Sequence, residues 1–135
     1  MEAIEEDYVS FETAKLLKEK GFDEHCSTSY STILSNHKVE ESRVSEWGRA
    51  NQIYRPTHQM AMAWLREKGI YVCPKLCCFC GSKKKDIPYY LWEPRIIRLP
   101  SNNIIYPQPL DMCKHYENYE EATEKAIKYS LENLV

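Results

Sequence analysis

One stretch of the sequence, residues 56–76, constrains the fold more than any other. It opens with Pro-Thr, which suits the first turn of a helix because proline fixes φ and threonine accepts a hydrogen bond from a free backbone N–H. Apolar side chains then recur at helical spacing, namely Met60, Ala61, Trp64 and Leu65. Gly69 ends this helix, and the apolar run that follows is typical of a strand. The sequence therefore predicts a helix at 57–68 that leads into a strand at 70–76, interrupted or ended by Pro74, with Trp64 buried beneath the sheet.

Other local patterns predict two more helices and further strands. Ser10 and Gly21 fit the start and end of a helix at 11–20, and Asn118 with Glu121 fits the start of one at 118–133. Segments near 26–33, 88–98 and 103–107 are strand-like, and Pro94 marks a kink or bulge in the second of them. Residues 77–87 are predicted as a turn. We expect a single domain over 1–135, with a flexible acidic leader at 1–8 and a long loop at 35–55.

These elements predict an α+β fold. About three helices would pack on one face of a small, mainly antiparallel sheet of three or four strands. Packing on one face leaves the opposite face exposed, and the chain has ten tyrosines that would cover part of it. An exposed aromatic face of this kind is typical of an interface.

Composition limits the partners and the compartment. The chain has 135 residues and a formal net charge of -2, which gives no general attraction to nucleic acid or to acidic membranes. No stretch approaches the roughly 18 consecutive apolar residues that would span a membrane, and the acidic first residues lack the layout of a secretory signal. We therefore expect a cytoplasmic protein without a membrane partner.

Three sequence motifs, one in each predicted helix, follow one another along the chain. They are VSFETAKLLKEKGF at 9–22, Pro56-Thr57 leading to MAMAWLRE at 60–67, and YEEA at 119–122. Together they resemble a family of small proteins encoded by prophages and mobile elements of gut anaerobic bacteria. The resemblance implies a cytoplasmic single domain of mixed α and β structure. It implies no activity, catalytic residue or ligand, and the cysteine-rich segment at 73–80 is not part of the family pattern.

The cysteines leave a metal site open as one alternative. Cys77 and Cys80 have the spacing of a zinc knuckle, and Cys113 and His115 are the best candidates for the two further ligands. The competing interpretation is a row of small thiols packed at the end of a strand. A redox role is less favoured, because no helix pattern follows the Cys-x-x-Cys motif.

A nucleic-acid surface is a second alternative. Basic side chains at Lys83, Lys84, Lys85, Arg95 and Arg98 accompany Tyr90 and Trp92, which share one side of an alternating strand. The competing interpretation is an ordinary sheet with lysines in a solvated turn.

No residue pattern predicts an enzyme. His58 and His37 have no carboxylate or nucleophile at a telling spacing, so both are predicted to lie at the surface. We expect a non-enzymatic accessory protein of a mobile element, with no cofactor, that acts through protein contacts or self-association. The nucleic-acid and zinc-stabilised alternatives stay open.

Overall fold

The helices are separated along the chain by runs of short antiparallel strands, as the α+β class requires. The computed structural model describes residues 6–33, 36–42, 51–79, 89–99, 103–106 and 115–135. Within them lie three helices, α1 (Phe11–Glu19), α2 (His58–Glu67) and α3 (Tyr119–Asn133). The strands are β1 (Thr28–Ser31), β2 (Val39–Glu41), β3 (Gln52–Tyr54), β4 (Ile70–Val72), β5 (Lys75–Phe79), β6 (Tyr89–Glu93), β7 (Ile96–Arg98) and β8 (Asn103–Tyr106).

All three helices begin at the capping residues that the sequence predicts. The side-chain oxygens of Ser10, Thr57 and Asn118 each accept a hydrogen bond from the backbone N–H three residues later, at 3.3, 3.1 and 2.8 Å. Gly21 and Gly69 follow α1 and α2 with φ of +99° and +79°. A positive φ suits glycine because it has no Cβ, so both glycines end their helices as expected.

The segment predicted as a long loop, 35–55, contains two strands. β2 and β3 pair antiparallel with the two edges of β1 and form a sheet in the order β2-β1-β3. The loop prediction was wrong here because each strand has only three residues, too few for an alternating pattern to show. Residues 43–50 lie outside the described residues.

The end of the predicted acidic leader, 1–8, belongs to the fold. Tyr8 forms a β-bridge with Thr57, and the carbonyl of Asp7 accepts a hydrogen bond from the backbone N–H of His58 at 2.8 Å. The guanidinium of Arg55 lies 3.8 Å from the centre of the Tyr8 ring. Residues 7 and 8 are therefore fixed at the start of α2, while residues 1–5 lie outside the described residues.

Four of the strands form one long antiparallel hairpin. β4 pairs with β7. β5 follows β4 in the chain and pairs with β6, and β6 precedes β7. The register is continuous across the junction, as shown by the pairs Val72–Ile96 and Lys75–Glu93 and by a hydrogen bond of 2.8 Å between Cys73 N–H and Arg95 C=O. β8 adds to the outer edge of β7.

Two prolines mark the junction within this hairpin. The continuous register places Pro74 opposite Pro94, so the predicted strands at 70–76 and 88–98 are both present and both interrupted at their prolines. β5 continues to Phe79. The prediction of a turn beginning at residue 77 was therefore wrong, and residues 80–88 lie outside the described residues.

The helices contact strands of all three sheets. α1 contacts β3, whereas α2 and α3 contact β4, and α3 also contacts α1, α2 and β6. The α+β class is confirmed, although the strands divide among three small antiparallel sheets where one had been expected. Trp64 is only partly buried, at the edge of the Phe22 ring, whereas its neighbour Leu65 is fully buried. Fully buried apolar side chains of α1, α2, α3, β4 and β7 contribute to the core, including Leu17, Leu65, Ile70, Ile96, Ile127 and Leu131.

Candidate functional site

The outer edge of β6 is attached to the body of the protein. The backbone N–H and C=O of Trp92 both bond to Tyr116, at 2.7 and 2.8 Å. Backbone groups of successive strand residues point to opposite edges, so those of Leu91 and Glu93 point towards β5. The Trp92 ring also contacts Tyr119 at the start of α3, edge to face, with the ring centres 5.1 Å apart. These contacts fix the position of the hairpin.

The outer edge of β5 carries backbone groups that no described residue bonds. Cys77 is opposite Leu91, so its N–H and C=O point towards β6 and those of Leu76 and Cys78 point away. Within the described residues, no backbone group bonds to Leu76 or Cys78 at this edge. Pro74 also faces this edge but has no N–H to donate. The part of the edge that is open to pairing therefore begins at Leu76.

The β5–β6 hairpin exposes large side chains on both faces. Leu76 and Tyr90 share one face with Trp92 and are 48% and 58% exposed, and Tyr89 on the other face is 52% exposed. A two-stranded hairpin is at best marginally stable by itself in water, and exposed apolar side chains beside a free edge favour the addition of another strand. We take the open edge of β5 together with Leu76 and Tyr90 as the candidate interaction surface.

The structure describes four of the seven residues predicted to bind nucleic acid. Trp92 contacts α3, and Arg95 Nη2 lies 3.8 Å from Glu93 Oε2. Tyr90 and Arg98 are exposed, but they lie in different strands on either side of Pro94. Lys83, Lys84 and Lys85 lie outside the described residues. Nucleic-acid binding stays a prediction.

The predicted zinc ligands are only partly described. The Cys77 thiol donates weakly to the carbonyl of Lys75 at 3.7 Å and lies 3.9 Å from Glu93 Oε2. Burial and the nearby Glu93 carboxylate raise the pKa of Cys77. His115 is half-buried, and Cys80 and Cys113 lie outside the described residues. Among the residues described, no three His, Cys, Asp or Glu side chains are grouped as metal ligands would be.

A largely buried pair, His58 and Glu124, connects the three helices. His58 begins α2 and is only 6% exposed, and its Nε2 lies 2.9 Å from Oε2 of Glu124 in α3. The other carboxylate oxygen accepts hydrogen bonds from the Ser10 N–H at 3.0 Å and the Thr13 hydroxyl at 2.6 Å, both at the start of α1. One carboxylate thus lies at the N-termini of two helices, where their dipoles favour a negative charge. The predicted surface position of His58 was wrong.

The hydrogen bonds keep this carboxylate ionised. Burial alone would raise the pKa of Glu124, but hydrogen bonds from His58, Ser10 and Thr13 outweigh it and lower the pKa to about 2. Glu124 is therefore an anion under all ordinary conditions.

The chemistry of this pair is that of a structural contact. A catalytic histidine oriented by a carboxylate through one nitrogen uses the other as the base. Nδ1 of His58 is buried and has no hydrogen-bond partner within the described part of the chain, and the Ser10 and Thr13 hydroxyls bond to each other. No nucleophile is therefore paired with a base here.

An open groove of about 380 Å³ lies beside the pair. Its lining includes carboxylates from Asp7, Glu120, Glu121 and Glu124, and Lys125 is its one lysine or arginine. This negative lining disfavours anionic ligands such as nucleic acid.

Sequence reasoning missed the pair because its members are 66 residues apart. A partial signal was present in the caps, since Ser10 and Thr57 place two helix N-termini, and such ends favour a carboxylate. Nothing local showed that Glu124 would supply it.

No protein-family model, curated protein or solved structure matches the chain. In the described portion of the chain, none of the helices has both the length and the apolar character needed to cross a membrane. The proposals below therefore rest on the residues of this chain.

Proposed function

We propose that the protein is a non-enzymatic interaction protein that binds a protein partner through the β5–β6 hairpin. The observation that carries the proposal is the open edge of β5 at Leu76 and Cys78, beside the exposed side chains of Leu76 and Tyr90. Such an edge binds an extended segment by strand addition, in which backbone hydrogen bonds give affinity and neighbouring side chains give specificity.

The position of the prolines supports this role. Proline at an edge blocks uncontrolled strand pairing, and Pro74 does so at the start of β5. Leu76 and Cys78, which lie beyond Pro74, have no such protection. In the described residues of β5 and β6, their face of the sheet carries Leu76, Cys78, Tyr90 and Trp92 and no charged side chain. Pro74 therefore protects the start of this edge, whereas the part at Leu76 and Cys78 lacks that protection.

The expected accessory role in a mobile element belongs to the same proposal. Nucleic-acid binding through Lys83–Lys85 and zinc stabilisation through Cys77 and Cys80 remain alternatives. In the described residues, the contact between Trp92 and Tyr119 favours protein contact over nucleic-acid binding, because it engages one of the two predicted stacking aromatics.

Photocrosslinking in intact cells tests the proposal. A photoreactive benzoylphenylalanine replaces Tyr90 in one protein and Ile33, which is 67% exposed in the bend after β1, in the control. We expect irradiation to give a discrete protein adduct from position 90 and severalfold less from position 33. The proposal fails if position 90 gives no protein adduct, if both positions give the same adducts, or if nuclease digestion removes the adduct.

The nucleic-acid alternative has its own test. Replacing Lys83, Lys84 and Lys85 with alanine should weaken salt-sensitive retention of DNA or RNA if these lysines contact phosphates. Absence of retention by the unmodified protein at low salt would remove this alternative.

A further inference from the structure

We infer that the strand added to β5 is β5 of a second copy of this chain, so that the protein forms a twofold-symmetric dimer. This inference rests on the proposed function and names its partner. In the dimer the two hairpins would form a continuous four-stranded antiparallel sheet in the order β6-β5-β5-β6. The twofold axis would pass through the sheet at Cys77.

The register follows from the free backbone groups. Leu76 and Cys78 each present an outward N–H and C=O, and an antiparallel pair exchanges two hydrogen bonds between such residues. Placing Leu76 opposite Cys78 of the second copy lets the outward N–H and C=O groups of both residues form hydrogen bonds in both chains. A shift that centres the axis on Leu76 would place Pro74 opposite Cys78 and lose a donor, so the register centred on Cys77 is favoured.

The charges of β5 agree with this register. Lys75 is the one charged residue of the strand, and the symmetric pairing places it opposite Phe79 of the second copy, away from the other Lys75. Like charges directly opposite each other would destabilise a sheet. The strand is therefore complementary to itself in the antiparallel direction.

The side chains on the exposed face agree as well. Leu76 is directly opposite Trp92, and Cys78 is directly opposite Tyr90, within each hairpin. Pairing Leu76 with Cys78 of the second copy joins these pairs into rows of four side chains across the sheet. Leu76 would then lie between Trp92 of its own chain and Cys78 of the second copy. Burial of its exposed apolar surface favours association.

The same register makes a chemical prediction about Cys77. Its backbone groups point towards β6, so the two Cys77 residues form a pair without hydrogen bonds, with Cα atoms about 4.5 Å apart. That spacing is compatible with a disulfide. With the added oxidant diamide, two Cys77 thiols would form one disulfide, and diamide would take up the two electrons and two protons.

Sedimentation of the full chain under reducing conditions is the first test. We expect a concentration-dependent dimer within the range up to ~1 mM, above the Kd of a weak interface. Leu76→Pro removes the outward N–H and leaves the β5–β6 bonds intact, so it should weaken the dimer by at least about tenfold. Leu76→Ala keeps the N–H and serves as the matched control, with a smaller effect.

Oxidation is the second test and applies even if Leu76→Pro fails to fold. Diamide should convert the unmodified protein and Cys78→Ser into a covalent dimer. The yield of covalent dimer from Cys77→Ser should be much lower. The inference is overturned if the chain stays monomeric, if Leu76→Pro and Leu76→Ala weaken the dimer equally, or if Cys77→Ser crosslinks as well as Cys78→Ser. A monomer whose position 90 crosslinks to a different protein would overturn the dimer and leave the proposed function standing.

Discussion

Glu124 and His58 are 66 residues apart in the sequence and 2.9 Å apart in the structure. Glu124 also accepts hydrogen bonds from the start of α1, so its carboxylate holds the N-termini of α1 and α2 against α3. Hydrogen bonds to a charged, largely buried group are stronger than those between neutral groups. This contact is therefore expected to matter for stability.

Replacing Glu124 with alanine should lower the free energy of unfolding by about 2–4 kcal/mol, because His58 and Thr13 would be left buried without their acceptor. Glu124→Gln should cost less, since the amide oxygen still accepts one of these bonds. Chemical denaturation measures both. Glu132→Ala, at an exposed position of the same helix, is the control and should change stability little. Equal effects at 124 and 132 would contradict a structural role for the contact.

Acid should weaken the fold through the same group. The pKa of Glu124 is lowered from 4.5 to about 2 in the folded protein, so the unfolded chain binds a proton more readily. Its stabilising contribution is complete above pH 4.5 and is lost as the pH falls towards 2, a change of about 2–3 kcal/mol. Denaturation curves from pH 6 to pH 2 measure this. Glu124→Gln should lack this component, and parallel pH profiles for the two proteins would refute the assignment.

Two glycines after helices should differ in their tolerance of alanine. Gly69 and Gly21 both have positive φ, but a Cβ at Gly69 would lie 3.2 Å from the carbonyl oxygen of Leu99, whereas a Cβ at Gly21 would meet nothing within 4 Å. Gly21→Ala should cost about 1 kcal/mol from backbone strain alone, and Gly69→Ala about twice that. Thermal or urea unfolding compares them, and a larger loss for Gly21→Ala would contradict the described contact.

The cysteines should react with alkylating reagents in a defined order. Cys73 and Cys78 are exposed, whereas Cys26 is 4% exposed and burial, with the nearby Glu24 carboxylate, raises its pKa to about 11. Iodoacetamide at pH 8 should label Cys73 and Cys78 well before Cys26, because the thiolate is the reactive form. Peptide mapping over time measures the order, with urea-unfolded protein as the control in which Cys26 reacts freely. Rapid labelling of Cys26 in the folded protein would contradict its burial.

The helices could be predicted because their signals are local. A cap such as Ser10 bonds to an N–H three residues away, and a glycine such as Gly69 acts through its own φ. The short strands β2 and β3 could not be predicted, since pairing with β1 fixes them and three residues hold almost no periodicity. Of the apolar residues predicted at helical spacing, Leu65 is fully buried, whereas the burial of Trp64 was overestimated.

The candidate interaction surface could also be predicted only in part. The sequence by itself determined the strand content of 70–76 and 88–98 and the interruptions at Pro74 and Pro94, because β propensity and the missing proline N–H are properties of single residues. Only the tertiary structure decided that β5 has an open edge and that His58 is buried against Glu124. Both depend on which distant segment lies alongside, and the chain settles that choice through the packing of the whole core.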